Sequence, residues 1–313
     1  MKQGAACVLI SSWKPGDMLM RSSLLLVGLL AIICLSSGCF ESDNGRDNDQ
    51  LPIAVTILPM KEIAEEIGGN RISVTVVVPP GAQPHTFEPT PALVSRVSGS
   101  KIFFRLGPDL LPFEDRLVER ISSFHPDSII VDLSDGIDLI QQGECGCPYD
   151  HGDYDPHIWL SPRNGAVMAE IMAGALIDLD PEYTEFYSKN LARYIARINE
   201  IDQQLTEDLA DYQNNRFIVT HDAWGYFARD YGLEQVAIHV GGREPTARDI
   251  QQIVQIAEEN SINVIFVEPQ FSHKAAVSIA EELKATVVVI DPLAEEYLDN
   301  FLIVADAMKG AMT

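Results

Sequence analysis

Ile53-Ala54-Val55-Thr56-Ile57-Leu58-Pro59-Met60-Lys61-Glu62-Ile63-Ala64-Glu65-Glu66-Ile67-Gly68-Gly69 is the stretch that decides the fold. Ile53–Ile57 is an apolar run of strand length. Pro59 opens a helix over Met60–Ile67, because proline's missing N–H costs nothing in a first turn, and Gly68-Gly69 closes it. The same couplet then recurs. Ile72–Val78 is a strand dense in β-branched residues that stops at Pro79-Pro80-Gly81. A helix from Pro91 to Val97 leads to strand Lys101–Arg105, and a helix from Pro112 to Ser122 leads to strand Ser128–Val131. Near-continuous apolar strands alternating with helices predict a parallel sheet covered on both faces.

Further along, Arg163–Leu179 has helical periodicity, and Pro181 opens a longer segment running to about Tyr212. Phe186, Leu191, Tyr194, Ile195, Ile198, Ile201, Leu205 and Leu209 recur there at three- and four-residue steps. No Gly or Pro interrupts the segment after Pro181, so it reads as a stiff connector. The second half repeats the first. Strands are expected at Arg216–Val219, Gln235–His239, Asn263–Val267 and Thr286–Ile290. Helices are expected at Ala223–Tyr231, from a Thr246 cap to Asn260, from a Ser272 cap to Leu283, and over Leu293–Met308. The expected fold class is α/β: two βα lobes with parallel sheets, residues 51–162 and 214–313, joined by a long rigid helical connector over residues 163–213.

The first fifty residues differ in kind. Arg21 and Ser22-Ser23 precede the apolar run Leu24–Leu35, which suits a signal-peptide core and is too short to span a bilayer as a helix. Met18 or Met20 makes a more compact start than Met1. Leu35-Ser36-Ser37-Gly38-Cys39 resembles a lipoprotein cleavage site, although Leu35 is one place further from the Cys than usual; the plainer alternative is an exported protein with a chance Cys. Residues 1–39 are thus read as leader and lipobox, and residues 40–50, polar and without periodicity, as a flexible tether. A lipid anchor at Cys39 places the body outside the cytoplasmic membrane; without it the protein is periplasmic.

The net charge of −24, from 22 basic and 46 acidic side chains, leaves no means of neutralising a phosphate backbone and excludes nucleic acid as a partner. With 46% hydrophobic and 22% charged residues the body is globular, and it is expected to be a monomer. Beyond the leader only Cys145 and Cys147 remain, in a Cys-Gly-Cys spacing poorly suited to a mutual disulfide. They lie with His151 in Gln141–Asp155, an acidic stretch expected to be a mobile surface loop.

Four polar residues stand where apolar runs give way to turns: His85, His157, His221 and Asp291. His157 sits in Tyr154-Asp155-Pro156-His157-Ile158-Trp159-Leu160-Ser161-Pro162, where the two prolines hold the backbone extended. His85, His221 and Asp291 follow strands, and ligands of parallel α/β sheets bind outside the carboxyl ends of strands. These four are expected to converge on one metal ion, most simply Zn2+, in the cleft between the lobes. Taken singly, each histidine reads as a surface or core residue. His125, His239 and His273 keep that reading, Trp159 and Trp224 read as packing around the site, and Glu268 reads either as a support to the site or as a cap for the helix begun by Ser272.

Pro84–Pro91, Asp155–Pro162, Thr220–Tyr226 with Tyr231-Gly232-Leu233, Phe266–Phe271 and Asp291-Pro292-Leu293 resemble, in order, the segments of the metal-binding solute-binding proteins of ABC transporters. These are zinc and manganese receptors, often lipoproteins. The resemblance implies two lobes, a long linking helix and a four-ligand site at His85, His157, His221 and Asp291. It also implies delivery of the ion to a membrane permease and its ATPase. His at position 221 implies the zinc type, and three imidazoles with one carboxylate suit four-coordinate Zn2+, whereas oxygen-rich sites suit Mn2+. The long His-rich loop that the zinc type often carries is here short, with His151 alone.

Two other classes stay open at this level. A zinc hydrolase needs an open water position and a base; no His-Glu-x-x-His run is present, and the expectation is a protein that is not an enzyme. A surface adhesin would use zinc only structurally.

Overall fold

The computed structural model describes residues 50–141, 154–239 and 245–312. The leader, Cys39, nearly all of the tether, the loop residues Cys145, Cys147 and His151, and most of the expected turn at 241–245 lie outside the described residues.

The first sheet has the order β2-β1-β3-β4, all parallel, with β1 Leu51–Val55, β2 Ile72–Val76, β3 Ile102–Arg105 and β4 Ile129–Asp132. Helices α1 (Leu58–Gly68), α2 (Pro91–Ser98) and α3 (Pro112–Phe124) connect its strands. The second sheet repeats the pattern: β6-β5-β7-β8, again parallel, with β5 Arg216–His221, β6 Glu234–His239, β7 Val264–Val267 and β8 Thr286–Val289. Between the sheets run α4 (Pro162–Leu179) and α5 (Thr184–Leu209); α6 (Gly225–Tyr231), α7 (Ala247–Glu259), α8 (Lys274–Leu283) and α9 (Tyr297–Met312) belong to the second half. The two βα lobes and the long connector expected from the sequence are therefore present. Among the described residues no helix is long and apolar enough to cross a membrane.

Period-two alternation decides which core each strand serves. On β5, Phe217 and Val219 face a large apolar cluster, and Ile218 between them faces a smaller one. On β7, Val264 and Phe266 join the large cluster, Ile265 and Val267 the small one. The small cluster lies under α7 and α8 and belongs to the second lobe alone. The large one is continuous from Ile53 and Phe103 in the first lobe, through Tyr194 and Ile198 of the connector, to Phe227 and Phe301 in the second.

The connector holds this shared core by a single stripe. In the 26 residues of α5, Tyr187, Asn190, Tyr194, Ile198, Ile201, Leu205 and Leu209 are buried at three- and four-residue steps. Its rise of about 39 Å spans both lobes. Its one buried amide, Asn190, donates to the Ile67 carbonyl at 2.9 Å, satisfying the end of α1. Arg197 reaches Asp299 of α9 at 2.6 Å.

Two expected helix starts shift for local reasons. The last helix begins at Tyr297, not near Leu293, because Asp291 Oδ1 accepts from Leu293 N at 2.9 Å and turns the chain there. Ser272 does not cap α8: the helix starts at Lys274, and His273 before it makes no side-chain cap. Glu268 does not cap it either, being folded back into the interior. Thr246 does cap α7, in a reciprocal pairing with Asp249. Where α4 passes α9 the fit is tight: a Cβ on Gly165 would lie 2.5 Å from Tyr297 Oη, which donates to the carbonyls of Trp159 and Ser161.

A core shared by both lobes and the uninterrupted helix α5 predict little domain opening on metal release. Small-angle scattering of metal-free and loaded protein is expected to give superimposable curves; a large increase in radius of gyration on chelation contradicts this.

A second expectation concerns Glu114, wholly buried in the first turn of α3. It accepts from Leu106 N at 2.9 Å, from Gly107 N at 3.4 Å and from the Thr56 hydroxyl. Burial, outweighing these hydrogen bonds and nearby Arg105, pushes its carboxyl up to about 7. The folded state thus binds this proton more tightly than the unfolded chain. The contribution to stability is complete below pH 4.5 and is lost as pH rises through 7. Glu114→Gln is expected to remove a pH-dependent loss of about 3 kcal/mol from urea-unfolding free energies across that window. An unchanged slope of stability against pH would count against the assignment.

Candidate metal centre

Each of the three histidines is fixed by a different local device. His85 lies on a single 3-10 turn, Pro84–Thr86, closed by Phe87 N to the Pro84 carbonyl at 3.3 Å. Phe87 then packs edge-on to Phe113 at the start of α3, with ring centroids 5.5 Å apart. His157 follows Pro156, and its backbone N–H donates to Asp155 Oδ1 at 2.9 Å in an Asx turn. The Asp155 carbonyl in turn accepts from the Tyr226 hydroxyl at 2.8 Å. His221 is the last residue of β5 and packs at a tilt of 30° against Phe271, with centroids 4.8 Å apart. His157 and His221 are almost fully buried; His85 is half-buried.

The carboxylates beside these rings set their tautomers. Asp155 Oδ1 is 2.7 Å from His157 Nδ1, and Asp222 Oδ1 is 3.0 Å from His221 Nδ1. An ionised carboxylate only accepts, so Nδ1 of His157 carries the proton and its Nε2 presents a lone pair; Asp222, near His221 Nδ1 but outside hydrogen-bond alignment, favours the same tautomer through its charge. Glycine at 225 is required here: a Cβ would come within 2.8 Å of Asp155 Oδ2. Burial, above all, lowers the pKa of His221; the neighbouring His157 adds to this and Asp222 opposes it. Asp222 is raised by burial but carried below its usual range by its contact with His221 and the charges of His221 and His157.

The three Nε2 atoms form a nearly equilateral triangle with edges of 3.1, 3.2 and 3.2 Å. At a Zn–N distance of about 2.0–2.1 Å, two nitrogens of a tetrahedral zinc stand about 3.3 Å apart. The edges therefore match one face of such a tetrahedron. Without a cation the lone pairs of His157 and His221 would oppose each other, and one hydrogen from His85 can satisfy only one of them. The donor set fits a divalent cation that accepts imidazole nitrogen.

Asp291, the fourth residue expected, is not brought together with the three. Among the described residues the group whose ligand atoms lie within 4.8 Å of one another is His85, His157 and His221. Asp291 Oδ1 instead accepts from Gln270 Nε2 at 2.8 Å and from Leu293 N. The cavity beside the triangle is lined by Gln83, Trp159, Glu268, Gln270, Phe271 and Leu293 among others, and offers about 20 Å³. That is room for one water-sized occupant.

Four residues at the site went unread in the sequence. Asp155 and Asp222 had a signal, a carboxylate next to each histidine. Gln270 and Phe271 had none beyond their place after β7. Glu268 is fully buried and takes a hydrogen bond from Trp224 Nε1 at 3.3 Å. Burial foremost, then the charges of Asp222 and Asp291, raises its carboxyl well above the usual range. Trp159 packs as expected, its Nε1 donating to the Pro292 carbonyl at 2.7 Å. His273 is structural, its Nε2 lying 3.0 Å from the Glu268 carbonyl.

Comparison with known proteins agrees with this geometry. The profile of the family described as zinc-uptake complex component A, periplasmic (ZnuA), matches residues 53–311. The high-affinity zinc uptake system protein ZnuA of Bacillus subtilis is 28% identical over 303 residues, spanning 92% of this chain and 94% of that protein. The manganese-binding lipoprotein MntA of Halalkalibacterium halodurans is 28% identical over 287 residues, spanning 87% of this chain and 92% of that protein. A crystal structure of ZnuA aligns with a TM-score of 0.78 and 35% identity, covering 85% of this chain and all of that one. The chain therefore belongs to the ZnuA family, within the metal-binding solute-binding proteins of ABC transporters that its sequence resembles.

Proposed function

We propose that the protein is an extracytoplasmic zinc receptor that delivers Zn2+ to an ABC importer, binding the ion through His85, His157 and His221. The observation that carries this reading is the Nε2 triangle, whose edges suit tetrahedral zinc. Asp291 is a fourth donor held in reserve, one residue from Pro292 in the cavity wall. The partners are a membrane permease and its ATPase, and the working form is a monomer. The Leu35–Cys39 segment supports tethering through a lipid on Cys39 to the outer face of the membrane, as does the lipoprotein named among the relatives.

Manganese is the second reading, because a manganese-binding relative is as similar as a zinc-uptake one. Three neutral nitrogens favour zinc over manganese on ligand chemistry. A zinc hydrolase is disfavoured by space: pockets for organic ligands run to several hundred Å3, far above what is open beside this triangle. The protein is accordingly read as a carrier of the ion and not as an enzyme.

Competition titration against a chromophoric chelator tests the site directly. His157→Ala is expected to lower zinc affinity by more than about a hundredfold, and Asp155→Asn, which leaves the ring but not its anchor, by about ten- to a hundredfold. Wild-type affinity in His157→Ala would place the ion elsewhere.

Proton competition gives a further check. The pKa of His221 is lowered on folding, so its stabilising contribution is present above about 6.5 and is lost as pH falls through the folded value. Zinc affinity is expected to be level above about pH 7 and to fall steadily in acid as the imidazoles protonate. Equal affinity at pH 8 and pH 5 would contradict ligation by histidine.

A further inference from the structure

Gln235 stands on β6, the edge strand beside β5, and does not line the cation cavity. Its half-buried side chain reaches instead into the turn that joins β5 to α6. There Oε1 accepts from Trp224 N at 2.9 Å, and Nε2 donates to the Asp222 carbonyl at 3.4 Å. The two partners fix the orientation of the amide, because a backbone N–H only donates and a carbonyl only accepts. Within the turn, Ala223 N donates to the His221 carbonyl at 2.9 Å. α6 then starts at Gly225, and Trp224 before it makes no side-chain cap. Gln235 thus supplies, from a separate strand, the partner of a backbone N–H that precedes an uncapped helix start.

The same turn serves two of the three rings. Asp222 lies in it, with Oδ1 3.0 Å from His221 Nδ1. Gly225 closes it, and a Cβ there would stand 2.8 Å from Asp155 Oδ2 and 3.3 Å from Gln235 Nε2. Gly225 is therefore the spacer between the Gln235 amide and the carboxylate that holds His157 Nδ1 at 2.7 Å. Ligand groups need to be held within about 0.5 Å of their working geometry, so a shift of this turn disturbs both rings. We propose that Gln235 is a positioning residue of the cation site: by bracing residues 222–225 from β6 it keeps Asp222 beside His221 and Gly225 against Asp155, and so orients two imidazoles without touching the ion. This rests on the reading that His85, His157 and His221 bind the ion.

The test uses Gln235→Leu, which removes both hydrogen bonds, and Gln235→Glu, which keeps the acceptor for Trp224 N and loses the donor to Asp222. Zinc affinity is measured by chelator competition, and the Co2+-loaded forms are compared by visible absorption. Gln235→Leu is expected to weaken zinc binding about tenfold, as removal of a group that orients ligands from behind does, and to shift the cobalt bands. Added to Asp222→Asn or to Asp155→Asn, the same substitution is expected to cost only about threefold, and added to both together nothing further, because it acts through those two carboxylates. Gln235→Glu is expected to follow the same cycle with a smaller loss, and it carries the test alone if Gln235→Leu does not fold. Wild-type zinc affinity and cobalt spectra in both variants overturn the proposal. So does a loss that is undiminished when Asp222→Asn and Asp155→Asn are both present, since that marks a general loosening of the fold. Failure of the underlying reading looks different: zinc affinity in His157→Ala would equal that of wild type.

Discussion

Three imidazole nitrogens stand about one tetrahedral edge apart, and two of them are obliged by neighbouring carboxylates to point lone pairs at the same spot. That is an unfavourable arrangement for an empty protein. It persists only because the chain around it is over-determined. Pro84 and Pro156 restrict the backbone beside two of the rings. The third ends a central strand of the second sheet. Asp155 is itself gripped by Tyr226 from the second lobe, so a ring carried by the first half is oriented by a side chain of the other. The continuous core and the long helix α5 then keep those halves in register.

Most of this framework was legible in the sequence, because it rests on periodicities. The strands of both sheets, the stripe of α5 and the Thr246 cap are local patterns that the tertiary structure had no reason to override. The three histidines could be picked out because each follows a strand or a proline. Asp291 shows where such reading stops. Its place after β8 marks it as a ligand, but its actual partners are an amide twenty-one residues earlier and a backbone N–H two residues later. Nothing in local sequence announces a side-chain pairing of that separation. The start of α9 was misplaced for the same reason, since that hydrogen bond to Leu293 turns the chain before the helix can begin.

The interior also holds two buried acids, Glu114 in the first turn of α3 and Glu268 directly after β7. Both are buried and both favour the protonated form more than a free carboxyl does. Their surroundings differ. Glu114 is met by two backbone N–H groups and a hydroxyl, which makes it a brace for the loop after β3. Glu268 meets the indole of Trp224 and the wall of the cation cavity, so it supports the shape of the site.

The small cavity beside the triangle has a consequence for how the ion arrives. Room for about one water cannot admit a metal with its full shell of hydration. With the three histidines as the proposed ligands, an ion would shed water as it exchanges each solvent oxygen for an imidazole, beginning at half-buried His85, the most accessible of the three rings. Cations that surrender water slowly, magnesium above all, are then turned away by the rate of dehydration as well as by ligand preference. The abundance of such ions outside the cell therefore need not swamp a scarcer cargo.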